Sequence, residues 1–214
     1  CFSLDGVDSK THARIRTIKN YHSIIKNIKK AISIGYKVRV TMTVNSFNLH
    51  QIEKMATKLE KMRVSALNIH LVSKNGRAKN NELLLVEEKE WMDYYKKVFP
   101  KLTKYNIKIK IPKRYIKESE YRNYEATCES AKSSRILITS DFKIYSCPLL
   151  LDSDRYFAYF KNGKFYYTKN YKENIFEYSN INGPICPVLI KDNFDKLKSK
   201  KIIPLCVSYK QTNK

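Results

Sequence analysis

The sequence predicts an α/β fold: a parallel sheet flanked by helices, followed by a smaller unit built from β-hairpins. Three observations predict it. Strand-like and helix-like segments alternate strictly between residues 2 and 111. The connections between those strands are long enough for right-handed crossovers. After Pro112 the strands become short and come in pairs joined by turn residues.

Each element has its own signal. Phe2 to Leu4 reads as a short strand running into a turn at Gly6. Asn20 to Ile34 places Tyr21, Ile24, Ile25, Ile28, Ala31 and Ile32 at helical spacing, and Gly35 is a helix stop. Lys37 to Val44 alternates Val38, Val40, Met42 and Val44, the mark of a strand. Asn48 is placed to cap a helix whose apolar face holds Ile52, Met55, Ala56 and Leu59. Ala66 to Val72 is the next strand, and a loop from Ser73 to Asn81 contains Asn75-Gly76-Arg77. Glu87 to Tyr105 is helical, with Trp91, Tyr94, Tyr95 and Val98 on one side. Ile107, Ile109 and Ile111 alternate in a last strand. Sites in such folds lie at the carboxyl ends of the strands, where Ser3, Asp5, Val44 to Asn48 and Val72 to Arg77 fall.

Residues 113–127 are polar, charged and rich in Tyr, and read as a connector. Beyond Cys128, Ile136 to Ile138 pairs with Lys143 to Tyr145 across a turn at Ser140-Asp141-Phe142. Tyr156 to Phe160 pairs with Lys164 to Tyr167 across Asn162-Gly163, a strong hairpin turn. The basic tail reads as helical from Phe194 to Lys200.

Composition bounds the function. The chain has 214 residues, 43% hydrophobic and 29% charged, which suits a folded protein with a sizeable core. Its net charge is +22, yet the lysines are spread along the whole chain and no nucleic-acid-binding motif accompanies them. This argues for a compositional bias and against a nucleic-acid partner. No apolar run approaches the ~20 residues that span a membrane, so no membrane role is expected. The 5 Cys are an odd number, which fits metal-binding thiols in a cytoplasmic protein better than a disulfide framework. The opening Cys1-Phe2-Ser3-Leu4-Asp5-Gly6 looks like the middle of a buried strand, and no signal-peptide pattern is present. The expectation is a piece of a longer protein.

Two groups of residues carry chemistry. Ser3, Asp5 and Gly6, followed by His12 and Arg16, put small polar groups at a strand's carboxyl end with a basic residue nearby. Asp5 or Ser3 suits ribose hydroxyls, and Arg16 suits a carboxylate; a plain turn and a solvated Arg16 explain the spacing too. Cys128 and Cys147 bracket the first hairpin, which brings two thiols together as a staple or as half of a metal site.

In order and spacing these features resemble a known family. Ser3-Leu4-Asp5-Gly6, His12 and Arg16, Val40 to Asn48, and Asn75-Gly76-Arg77-Ala78 with Leu83-Leu84-Leu85 look like the second half of a radical S-adenosylmethionine (SAM) barrel. The stretch from Cys128 to Cys147, with Asp141-Phe142-Lys143-Ile144-Tyr145-Ser146-Cys147-Pro148, resembles the start of the SPASM or Twitch auxiliary iron–sulfur module. The resemblance implies the C-terminal half of a partial (β/α)6 TIM-like barrel in residues 1–112, a connector in 113–127 and an auxiliary-cluster domain in 128–214. It implies that Ser3 and Arg16 contact SAM, with Asp5 shaping the pocket. It further implies that Cys128 and Cys147 ligate a 4Fe–4S cluster, with Cys186 and Cys206 as candidates to complete the set. Buried cysteines beside Pro187 and Leu205 also pack as small hydrophobes. Zinc is the fallback metal, without the short-spaced cysteine pairs typical of its modules. The implied partners are a peptide or protein substrate and an electron donor of the flavodoxin or ferredoxin type.

The departures are specific. Phe142 stands where the family has a hairpin glycine, and no Cys-x-x-Cys follows Cys186. The Cys-x-x-x-Cys-x-x-Cys that holds the SAM-cleaving cluster does not occur in residues 1–214. Taken alone, the chain is therefore expected to be inactive. Histidines 12, 22, 50 and 70 show no metal-ligand spacing, and His70 reads as a core or cavity-lining residue. Tyr94-Tyr95 and Tyr166-Tyr167 could stack on a peptide or on bases. Asp141, Asp152 and Asp154 suit either a base or turn chemistry. The competing readings are a basic nucleic-acid-binding α/β protein and a degenerate radical SAM remnant that binds no cluster.

Overall fold

Apolar and polar residues alternate along the first strands, and that alternation decides how the first sheet is covered. In a computed structural model, which describes residues 1–16, 20–74, 78, 80–123, 136–151, 153–171, 186, 188, 199, 201–206 and 210–213, the chain divides into two compact units. The first holds the described residues of 1–74, 78–113 and 210–214; the second holds those of 114–209.

The first unit begins with β1 (Phe2–Ser3), α1 (Ser9–Arg16), α2 (Tyr21–Ser33) and β2 (Arg39–Val44). It continues with α3 (Ile52–Lys61), β3 (Ala66–Leu71), α4 (Glu88–Leu102) and β4 (Lys108–Ile111). Residues 9–16 carried no helical expectation. Asp8 starts α1 by accepting the Thr11 N–H at 2.8 Å, as an N-cap residue does. The four strands are mutually parallel, in the order β1-β2-β3-β4. Parallel strands in an order that never reverses are the arrangement in which right-handed crossovers put the connecting helices on one face. Val40, Met42, Leu67, Ile69, Ile109 and Ile111 are buried on one side of the sheet.

Register fixes the other face. Ser3 lies opposite Thr41, Thr41 opposite Asn68, Asn68 opposite Lys110, and Thr43 opposite His70. All-parallel sheets usually bury both faces and read as continuous apolar runs. This one alternates instead, and its polar face is half-exposed or exposed. The sheet is open among the described residues, with no closed barrel.

The second unit starts with β5 (Tyr115–Lys117), which lies inside the stretch expected to be only a connector. Then come β6 (Leu137–Ile138), β7 (Lys143–Tyr145), β8 (Ala158–Lys161), β9 (Lys164–Tyr167) and β10 (Ile202–Pro204). β10 pairs antiparallel with β5, while β6 to β9 form a four-stranded antiparallel meander. Both expected hairpins are present. Asn162 and Gly163 turn with φ of 50° and 74°, the consecutive positive values that a two-residue hairpin loop requires. In the other hairpin the Phe142 N–H donates to the Thr139 carbonyl at 2.9 Å, and Phe142 itself has φ 59°. A bulky residue thus holds the left-handed conformation that glycine takes at no steric expense.

Tyr145, Cys147, Leu149, Leu150, Cys186 and Val188 form the buried cluster of this unit. The helix expected from Phe194 to Lys200 lies outside the described residues except for Ser199.

The final strand, β11 (Gln211–Thr212), belongs to the first unit and pairs antiparallel with β4. Asn213 secures it: Oδ1 accepts the Ile109 N–H at 2.8 Å, and Nδ2 donates to the Leu102 and Ile107 carbonyls at 3.0 Å each. Among the described residues no helix is long and apolar enough to cross a membrane.

Candidate functional site

At the carboxyl ends of β1 and β2 the chain builds a buried polar knot. Asp5 is only 1% exposed. Its Oδ2 accepts from Arg16 Nε at 2.5 Å and its Oδ1 from the Thr43 N–H at 2.7 Å. The carboxylate therefore stitches β1 to β2 and to the end of α1 in one step. Its own N–H donates to His12 Nδ1 at 3.2 Å. Nδ1 is then the acceptor nitrogen, and the ring proton sits on Nε2, which donates to Asn20 Oδ1 at 3.0 Å. Gly6 is a close-approach residue, since a Cβ there would lie 2.5 Å from the His12 amide nitrogen.

Asn48, expected as a helix cap, does something else. A short 3₁₀ turn, Leu49–Gln51, precedes α3, and no side-chain cap bond forms. The Asn48 amide instead donates to the Asp5 carbonyl at 2.7 Å and to the Thr43 carbonyl at 2.9 Å, while accepting the Asn45 N–H at 2.8 Å. The carbonyls at the strand ends would otherwise be buried without donors, so satisfying them takes precedence over capping. Ser3, Asp5 and Arg16 are thus gathered at one end of the sheet. Ser3 is exposed on the polar face, and Arg16 keeps 41% of its side chain exposed while bound to Asp5.

Farther across that face, Lys210 Nζ donates to Asn68 Oδ1 at 2.6 Å and approaches His70 Nε2 at 3.2 Å; Asn68 Nδ2 donates to the same Nε2 at 3.0 Å. Burial first, then the Lys210 charge, lowers the His70 pKa, while Asp5 acts in the opposite sense. Burial and Lys110 bring Lys210 down to about 8.

The second unit contains the cysteines. Cys147 and Cys186 share its buried cluster. The Cys186 N–H donates to the Pro204 carbonyl at 3.0 Å, two residues before Cys206, which is half-buried. Cys128 lies outside the described residues, as do Asn75-Gly76-Arg77 and Asp152. Among the described residues no three His, Cys, Asp or Glu side chains lie close enough together to hold a metal ion.

Arg114, which carried no expectation, sits beside these segments. It is 3% exposed and has φ 67°. Its carbonyl accepts the Leu205 N–H at 2.8 Å, and its Nη1 donates to the Leu205 carbonyl at 3.3 Å. Among the described residues its Nε has no hydrogen-bond partner. A buried cation with an orphan donor is costly unless something negative faces it. Nothing in the sequence marked it, because it is one basic residue among many.

Of the candidate bases, Asp141 is a turn residue. The Thr139 hydroxyl first, and Lys143 second, bring its pKa down to about 2, so it stays ionised and holds protons poorly. Tyr94 is pushed up to about 12 by burial and Glu53, and Tyr166 and Tyr167 are exposed on β9. Compared with protein-family models, curated proteins and solved structures, the chain matches none.

Proposed function

We propose that the chain is part of a radical SAM protein of the peptide- or protein-modifying type. On this reading Ser3 and Arg16 contact SAM, Asp5 shapes the same pocket, and Cys128, Cys147, Cys186 and Cys206 hold an auxiliary iron–sulfur cluster. The observation that carries it is the burial of Cys147 and Cys186 in one cluster, although 38 positions separate them in sequence (186 − 147 − 1). Three further features support it: the nearness of the Cys206 segment to Cys186, the buried Arg114 whose Nε has no partner among the described residues, and the left-handed Phe142 at the position of the family's glycine.

Thiolates are the usual ligands of such clusters, and a buried cation suits the negative charge of a thiolate-ligated group. When bound, SAM and its cluster would supply hydrogen-abstracting radical chemistry. The residues here would do the protein's share: Asp5 holds Arg16 in place, and the cysteine cluster keeps its surroundings apolar and dry. The cysteine triplet required for SAM cleavage is not among residues 1–214, so this chain by itself would not carry out that step.

The test is anaerobic reconstitution of the full chain with ferrous iron and sulfide. The expected result is a brown protein with bound iron and sulfide, whose content falls in Cys147→Ser and Cys186→Ser and holds in Cys1→Ser. A colourless wild-type protein that retains no iron would overturn the reading.

One observation favours a second reading. Phe165 and Tyr167 are exposed on β9, Tyr159 stacks on Tyr166 at 5.3 Å, and Lys161 and Lys164 flank them. Aromatic faces among lysines suit single-stranded nucleic acid. A tight RNA complex that weakens steeply with salt would favour this alternative.

A further inference from the structure

We propose that the polar face of the first sheet binds an oxyanion, a carboxylate or phosphate group, between Lys110 and Lys210. The proposal rests on the first unit alone and does not require the cluster reading.

The geometry begins with the triangle of Asn68, His70 and Lys210. Asn68 Oδ1 accepts from Lys210 at 2.6 Å, and Asn68 Nδ2 donates to His70 Nε2 at 3.0 Å. Lys210 also approaches that Nε2, at 3.2 Å. Two donors converge on Nε2, so Nε2 carries no proton and Nδ1 carries it. The triangle thereby keeps His70 neutral and fixes the Lys210 ammonium on the polar face. Lys210 has three N–H bonds and directs two of them into the triangle.

Lys110 adds a second cation. It is opposite Asn68 in β4 and opposite Thr212 in β11, and its charge acts directly on Lys210. Lys210 bonds Asn68 and Lys110 lies opposite Asn68, so the two ammonium groups share this part of the face and repel each other; an anion between them converts that repulsion into two attractions. Asp5, beyond the end of β1, acts on His70, but both of its oxygens are occupied by Arg16 and the Thr43 N–H. Among the described residues the face therefore presents two ammonium groups, and the carboxylate of Asp5 is already engaged. Thr41 and Thr43 lie on the same face in register with Asn68 and His70, and add hydroxyls for the remaining oxygens of a ligand.

The test is calorimetric titration of the full chain with inorganic phosphate and, separately, with glutarate, at constant ionic strength. Saturable binding is expected, with affinity falling about tenfold in Lys110→Gln and in Lys210→Gln, the effect of losing one charge-assisted hydrogen bond. Lys161→Gln, in β8, should leave it unchanged. Binding of phosphate alone identifies a phosphate-bearing ligand, and binding of glutarate alone a carboxylate-bearing one; both support the site. If Lys210→Gln does not fold, the exposed Lys110 decides the matter. No saturable binding of either probe, or equal losses in all three variants, would overturn the proposal.

Discussion

Replacing Gly6 with alanine tests whether the knot at the sheet's carboxyl edge depends on close approach. The new Cβ would meet the His12 amide nitrogen at 2.5 Å, the Thr11 Cβ at 2.9 Å and the Thr11 carbonyl carbon at 3.0 Å. Two of these are backbone atoms, so no rotamer change relieves the clash. The His12 N–H is bonded to the Asp8 carbonyl at 3.1 Å, so the first turn of α1 cannot retreat without opening. Moving α1 also strains the bonds from Asp5 N–H to His12 and from Arg16 to Asp5. Overpacking a tight site costs about 1–3 kcal/mol, and each weakened hydrogen bond adds about 1 kcal/mol. A total of about 2–4 kcal/mol would lower Tm by roughly 5–15 °C in a chain of this size. The assay is thermal and urea unfolding followed by fluorescence of Trp91, the single tryptophan, which is fully buried in the first unit. Gly35→Ala is the control: a Cβ there meets nothing within 4 Å, so only its φ of 91° opposes the change, at a cost of about 1 kcal/mol. If Gly6→Ala is no more destabilising than Gly35→Ala, steric contact does not hold this turn.

Further outcomes are expected at the knot and on the polar face. Asp5→Asn keeps an acceptor for the Thr43 N–H but opposes one N–H with another at Arg16, and should cost about 1.5–3 kcal/mol. Arg16→Ala leaves a buried carboxylate short of a donor, so the double variant should lose roughly 1–2 kcal/mol less than the sum of the two; additivity in urea titrations would show that the pair contributes nothing. Stability should also depend on Lys210 at high pH. Its folded value of about 8 lies below the ordinary 10.5, so between those values the unfolded chain binds more protons, and stability rises with pH across that window. Lys210→Met should flatten that rise when unfolding is measured at pH 8 and above, and an unchanged slope would place the effect elsewhere. His70 shifts the same way from a lower starting value. The folded imidazole resists protonation, so stability should fall as pH drops below 6.5.

Much of the local structure was written in residue spacing. The apolar alternation from Val38 to Val44 marked β2, Ile28 and its helical neighbours marked α2, and Asn162-Gly163 marked the turn between β8 and β9. These features depend on backbone geometry within a few residues, and the identities of those residues suffice to specify them. What the chain places far apart was decided only by folding. The pairing of Asp5 with Arg16, the diversion of Asn48 from capping to the strand-end carbonyls, and the return of Gln211 and Thr212 to β4 left no periodic trace. Neither did the meeting of Cys147 with Cys186 or the burial of Arg114 beside Leu205. Such contacts follow from which buried donors and acceptors lack partners once the sheets close, and that condition belongs to the whole packed arrangement of the chain.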